Sequence, residues 1–211
     1  MQAGFHCIGD GALDAVAEGF ERAALRLGDD ALRARGHRLE HCEMPAPAAI
    51  ALFARLGVIA SVQPMFDGLW GGSSGMYAER LGERWQTINP FADLLRSGVR
   101  LAFGSDSPVT DVDPWRAVQA AVHHHSPRQR LLPLEAFDAH TRGGWAAARI
   151  DAGVLRQGAI ATYAVWDVPA GLVPAAAGSE QRLPDLTPGV DLPTCARTVV
   201  GGRLVHRTEE H

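Results

Sequence analysis

Three short apolar runs of this 211-residue chain each end in a side chain able to hold a metal ion: Gly4-Phe5-His6, Arg38-Leu39-Glu40-His41 and Leu101-Ala102-Phe103-Gly104-Ser105-Asp106. Two imidazoles and a carboxylate suit zinc or a similar divalent cation that keeps one position open for water. Such an ion makes its bound water acidic enough to attack near neutral pH. Asp106 has the chemistry of a ligand and also of the base that takes the water's proton. For the three groups to meet, each run must be a strand that delivers its last residue to a common rim.

Other polar residues have simpler structural roles. Asp10 reads as the N-cap of a first helix. His37 lies at the far end of the second strand from His41 and is expected to be structural or solvated. His123-His124-His125 follows an amphipathic helix, where imidazolium suits the helix dipole, so a solvated terminus is expected. Cys7 and Cys42 each follow a candidate histidine; alternation along a strand turns them outward against covering helices as buried thiols. Gln63-Pro64, Trp70, Tyr77 and Trp85 follow the third strand, and their types suit the lining of a substrate pocket.

The elements needed to position these groups are visible in the pattern. Strands are expected at Ala3 to Ile8, Arg38 to Cys42, Val58 to Gln63 and Val99 to Phe103. Between them lie helical stretches over Ala12 to Leu27, from Pro47 through Leu56, and from Asn89-Pro90, read as N-cap and first helical residue, to about Gly98. A long loop is expected from Pro64 to Thr87, and helices near Pro114 to His124 and Leu134 to Ala148. Strand-helix alternation of this kind predicts βαβ units and a parallel sheet. After Ile150 the pattern changes: Gly158 to Trp166 and Ala196 to Val205 read as strands flanking a Pro/Gly/Ala-rich connection, with Gly201-Gly202 a hairpin turn. The expected organisation is therefore an α/β domain over residues 1–150 and a β-rich appendage over 151–211.

Composition narrows the function class. Apolar residues make up 46% and charged residues 21% of the chain, which is ordinary for a soluble globular protein. The net charge of −4 comes without any basic cluster, so neither nucleic acid nor an anionic membrane surface is an expected partner. A small-molecule substrate is expected instead. No apolar run is long enough to span a bilayer and no signal-peptide pattern opens the chain, so a cytoplasmic location is expected. The three cysteines are widely spaced, which argues against a disulfide framework. All 20 basic side chains are arginine. With no lysine, this polypeptide supplies no Schiff base, lysine base or carboxylated lysine.

Four segments taken together resemble a known family: His6-Cys7-Ile8-Gly9-Asp10-Gly11-Ala12, Arg38-Leu39-Glu40-His41, Gly57-Val58-Ile59-Ala60-Ser61-Val62-Gln63-Pro64 and Gly104-Ser105-Asp106-Ser107-Pro108-Val109. In this order they are similar to the C-terminal half of the amidohydrolase superfamily, specifically the amidohydrolase 3 group. Gly153 to Gly158 also resembles that family's return from barrel to β-sandwich, although Ala161-Thr162 stands where Ala-Asp is usual. The resemblance implies an α/β fold consisting of strands five to eight of a (β/α)8 TIM barrel with part of a C-terminal β-sandwich. It implies that His6, His41 and Asp106 are metal ligands at the ends of strands five, six and eight, with Asp106 also catalytic. One or two divalent ions, zinc foremost, would activate water to hydrolyse a non-peptide carbon-nitrogen bond.

The family's His-x-His pair on strand one and its frequent carboxylated lysine on strand four have no counterpart here. The expectation is thus a truncated amidohydrolase, weak or inactive alone. One alternative is a non-catalytic remnant or assembly partner that needs an N-terminal half-barrel chain, or a second copy of itself. Another is a small open-sheet α/β protein whose histidines are structural.

Overall fold

The computed structural model describes residues 1–169, 171–174 and 182–209. The first strand, β1 (Gly4–Cys7), is followed by the amphipathic helix α1 (Asp10–Leu27), which buries Leu13, Phe20 and Ala24 along one stripe. Gly9, not Asp10, is the N-cap: Asp10 is the first helical residue, and its carboxylate accepts from the Gly11 N–H and pairs with Arg84. A short α2 (Asp29–Arg33) leads to β2 (Arg38–His41). Helix α3 (Pro47–Arg55) then starts with proline at its first position, where no N–H is needed, and leads to β3 (Ile59–Val62).

The segment from Pro64 to Thr87 is not the open loop its composition suggests. It holds α4 (Pro64–Trp70), α5 (Met76–Leu81) and a 3-10 turn at Gly82–Thr87. Helix α6 (Phe91–Arg96) is capped at Pro90, and Asn89 instead adopts a left-handed φ of 54° that redirects the chain before it. After β4 (Arg100–Phe103) comes α7 (Pro114–Val122), whose N-cap Asp113 accepts from the Arg116 N–H. Helix α8 (Pro133–Asp138) passes through a π-helical turn at Ala139–Gly143 into α9 (Gly144–Ala147), so the stretch expected as one regular helix changes winding midway.

The four strands form one parallel sheet in the order β1-β2-β3-β4, each joined to the next through helical segments. Among the described residues the sheet stays open, with β1 and β4 at its edges. Its register pairs His6 with Glu40 and Cys7 with His41. One face packs the main core, including Cys7, Leu39, Val62 and Phe103, against Phe20, Phe53 and Phe91 of the helices. Residues of the other phase of the pleat, Ile59 and Ala102, pack with Ala147 of α9 in a separate small cluster.

In the tail, β5 (Tyr163–Asp167), β8 (Thr194–Val200) and β9 (Arg203–Arg207) form an antiparallel sheet in the order β5-β8-β9, and β6 (Leu172–Pro174) pairs with β7 (Arg182–Pro184). Gly201 and Gly202, both at positive φ, form the expected hairpin turn. The first tail strand starts at Tyr163 rather than Gly158, and the Pro/Gly/Ala-rich connection lies partly outside the described residues. Trp166 meets Trp115 of α7 edge to face at 5.9 Å, and Leu183 and Leu186 enter the main core. Among the described residues no helix is long and apolar enough to cross a membrane.

Candidate active site

Residues His6 and His41 meet at the C-terminal ends of β1 and β2. Regular alternation would turn His41 towards the core side with Leu39 and Cys7. The backbone departs from it: His41 and Cys42 have φ of 74° and 49°, values that non-glycine residues seldom adopt. This turn places His41 Nε2 3.0 Å from His6 Nδ1 while Cys42 stays fully buried. On its other side, His41 Nδ1 lies 3.0 Å from Gln63 Oε1, and the ring stacks on Phe66 at 6.0 Å and 13°. Both His41 and Gln63 are buried, whereas His6 is exposed.

Asp106 sits just past β4 on a backbone with φ of 55°. Its side chain is exposed and makes no hydrogen bond or ion pair among the described residues. The loop beneath it is held by Thr110, whose hydroxyl donates to the Ser105 carbonyl at 2.5 Å. The structure therefore brings together two of the three predicted ligands. Among the described residues, no three His, Cys, Asp or Glu side chains are grouped to hold a metal ion.

The histidine pair fits a divalent ion by its donor chemistry and spacing. Imidazole nitrogens are common zinc ligands, and two of them on one tetrahedral ion stand roughly 3.3 Å apart, given bonds of about 2.0–2.1 Å. The observed 3.0 Å separation is close to that value. Cys7 and Cys42 do not compete as ligands: burial, with Glu40 adding to it, pushes the Cys7 thiol up to about 11, and burial also raises Cys42.

Behind the pair lies a buried polar network that the sequence reading did not identify. Tyr77 Oη donates to Glu43 Oε2 at 3.0 Å, and burial raises the Glu43 pKa while this bond opposes the shift. Asp67 is almost fully buried and accepts from the His125 N–H at 2.9 Å. Its carboxylate also lies 3.1 Å from His125 Nδ1 and 3.4 Å from His124 Nε2. His124, expected in solvent, is 1% exposed: its Nε2–H donates to the Asn89 carbonyl and its Nδ1 accepts from the Ser126 N–H. That bonding fixes a neutral ring, and burial lowers its pKa. Asn89 Nδ2 is buried in the same network without a hydrogen-bond partner among the described residues, with the Tyr77 hydroxyl nearby.

His37 is structural, buried with Nδ1 accepting from the Ala3 N–H. Tyr77 packs with Phe66 and Ile88, and Trp70 and Trp85 lie against that cluster, so these aromatics brace the site rather than face an open cleft. Two signals could have found this bracing. Gln63-Pro64 has the form of a helix start. Gly71 leaves room for Asp67 and His125, since a Cβ there would fall 2.4 Å from Asp67 Oδ1.

A parallel α/β sheet that brings imidazoles together where its strands end is an architecture of metal-dependent hydrolases. A sequence model of the amidohydrolase family matches residues 1–206, and the chain belongs to that family. It is 31% identical over 206 residues to Protein LONG AFTER FAR-RED 3 of Arabidopsis thaliana, covering 87% of this chain and 34% of that protein. The chain thus spans about a third or less of the curated relatives it matches. Among solved structures it resembles an uncharacterized metal-dependent hydrolase from Pyrococcus furiosus, with a TM-score of 0.63 and 27% identity over 76% of this chain and 32% of the other. Atrazine chlorohydrolase TrzN from Arthrobacter aurescens TC1, complexed with zinc, matches with a TM-score of 0.63 and 20% identity over 98% of this chain and 44% of that one. At that identity the likeness is one of fold.

Proposed function

We propose that these 211 residues carry part of the catalytic centre of a metal-dependent hydrolase that cleaves a non-peptide carbon-nitrogen bond in a small molecule. The observation that carries this reading is the convergence of His41 Nε2 and His6 Nδ1 at 3.0 Å on the ends of adjacent parallel strands. In this reading β1 to β4 correspond to strands five to eight of a barrel, and the strands after residue 151 belong to a sandwich domain. His6 and His41 hold a divalent ion, for which zinc is the first choice given imidazole ligands and a zinc-bearing fold relative. When bound, that ion supplies Lewis acidity and raises the acidity of a water molecule.

The chain's own residues supply the rest. The paired rings bring His41 Nε2 and His6 Nδ1 together and the Phe66 stack restrains the His41 plane, while Asp106, which lies apart from the pair here, would complete the set and accept the proton of the attacking water. Because only two ligands are gathered among the described residues, the chain alone is expected to turn over slowly or not at all. The same observation favours a second reading. In it the remaining ligands come from a complementary half-barrel chain or a second copy, and this chain is catalytically competent only in that assembly.

The test is a zinc or cobalt titration of the isolated chain, followed by an assay on N-acyl substrates. Stoichiometric binding that His6→Ala and His41→Ala each weaken by an order of magnitude or more is the expected result. No metal bound, with both variants folding normally, would assign the histidines a structural role. Enzyme-like turnover by the metal-loaded chain alone would remove the need for a partner.

A further inference from the structure

We propose that Gln63 is a positioning residue that fixes His41 as the Nδ1–H tautomer and so reserves its Nε2 lone pair for the metal. The inference rests on the metal-dependent reading above and adds a residue to it. A neutral imidazole carries one N–H and one lone pair, and whatever faces one nitrogen decides the state of the other. Here Gln63 Oε1, an acceptor, lies 3.0 Å from His41 Nδ1. The N–H is therefore on Nδ1, and Nε2 is left bare towards His6.

Several features hold Gln63 in place for this task. It is 6% exposed, it directly follows β3, and its carbonyl accepts from the Phe66 N–H at 3.0 Å. The following Pro64 starts α4 and fixes the direction of the chain. The same short helix brings Phe66 onto the His41 ring, so one turn of chain sets both the tautomer and the plane of the imidazole.

The arrangement also orders the metal-free pair. With Nδ1–H of His41 donated to Gln63, the 3.0 Å contact to His6 requires His6 Nδ1 to be the donor. Both hydrogen bonds then run in one direction, from His6 through His41 to Gln63, and for both facing nitrogens to serve as ligands only the exposed His6 ring has to move its Nδ1 proton to Nε2. The opposite assignment would turn the Gln63 amide nitrogen towards His41, place the proton on Nε2 and block the atom that the ligand role needs.

The tautomer is read directly by long-range proton-nitrogen NMR of the metal-free, ¹⁵N-histidine-labelled chain, above the ordinary histidine pKa of about 6.5. A protonated Nδ1 and bare Nε2 on His41 are expected. Gln63→Glu, which keeps an acceptor, should retain that signature, and Gln63→Leu should lose it. In a titration with zinc ion alone, Gln63→Leu should weaken binding about 10- to 100-fold, as loss of an outer partner does at a metal site, and Gln63→Glu should restore it to within a few-fold. A wild-type His41 protonated on Nε2, or an unchanged tautomer in Gln63→Leu, overturns the proposal. If Gln63→Leu does not fold, the wild-type and Gln63→Glu spectra still decide it. If Gln63→Leu changes the tautomer as expected but no version of the isolated chain binds zinc, Gln63 still sets the His41 tautomer and metal binding by the two histidines alone fails.

Discussion

The Asp67 carboxylate is one of the most deeply buried charged side chains in the fold, and the groups around it explain how it is tolerated. It accepts from the His125 N–H and sits within 3.4 Å of His124 Nε2. Truncating it would leave the His125 N–H without its acceptor, whereas His124 keeps the Asn89 carbonyl. Asp67→Ala is expected to cost about 2–3 kcal/mol in urea unfolding, the usual loss when buried donors lose their acceptor. Asp67→Asn, which keeps one carbonyl oxygen, should cost about half as much; equal losses would show that packing rather than hydrogen bonding sets the value. At this scale the sequence was only partly readable. His6 and His41 stood out because imidazoles ended apolar runs, whereas Asp67 and Glu43 lay in segments with no period to mark them. The triple histidine misled, because a run of identical residues says nothing about which member turns inward.

The elements were more legible than their ends and windings. β-Branched and apolar runs located all four parallel strands, and proline and glycine located most helix limits. The stretch from Leu134 to Ala148 reads as one regular helix, yet it carries a π-helical turn at Ala139–Gly143. The turn runs tight against the sheet: a Cβ on Gly143 would lie 2.2 Å from the Leu101 carbonyl oxygen of β4. Gly143→Ala should therefore push this helix off the sheet and destabilise the chain by about 1–3 kcal/mol or more. An unchanged thermal midpoint would contradict that, while Gly144→Ala, with nothing within 4 Å of its Cβ, is the matched control. The α4–α5 region was missed for the opposite reason. Its glycines and aromatics look like loop composition, and its helices are stabilised by packing on Tyr77 and Ile88 rather than by propensity.

Across the whole molecule, several histidines couple stability to pH. Burial is the first cause lowering the pKa of His37, His124 and His140 below the ordinary value of 6.5. The folded state thus resists protonation, and the unfolded chain takes up protons first as the pH falls. The stability these rings contribute is complete above the unfolded value and declines as the pH drops through it and on towards their lower folded values. The unfolding free energy from urea titration should accordingly fall on acidification below 6.5, by at most about 1.4 kcal/mol per pH unit for each histidine. A flat profile would mean that the rings remain hydrated in the folded state. The parallel sheet was legible at this scale because strand-helix alternation points to βαβ units. The contact of Trp166 with Trp115 was not, since no local pattern links residues so far apart in the chain.

The left-handed backbone at His41 and Cys42 also bears on reuse of this strand in protein engineering. Side-chain alternation would have sent the imidazole to one side and the thiol to the other, and two unusual dihedral angles reverse that assignment. Grafting Arg38 to His41 into another parallel sheet would transfer the letters of the site but not its aim. The portable unit is the strand together with the turn that ends it.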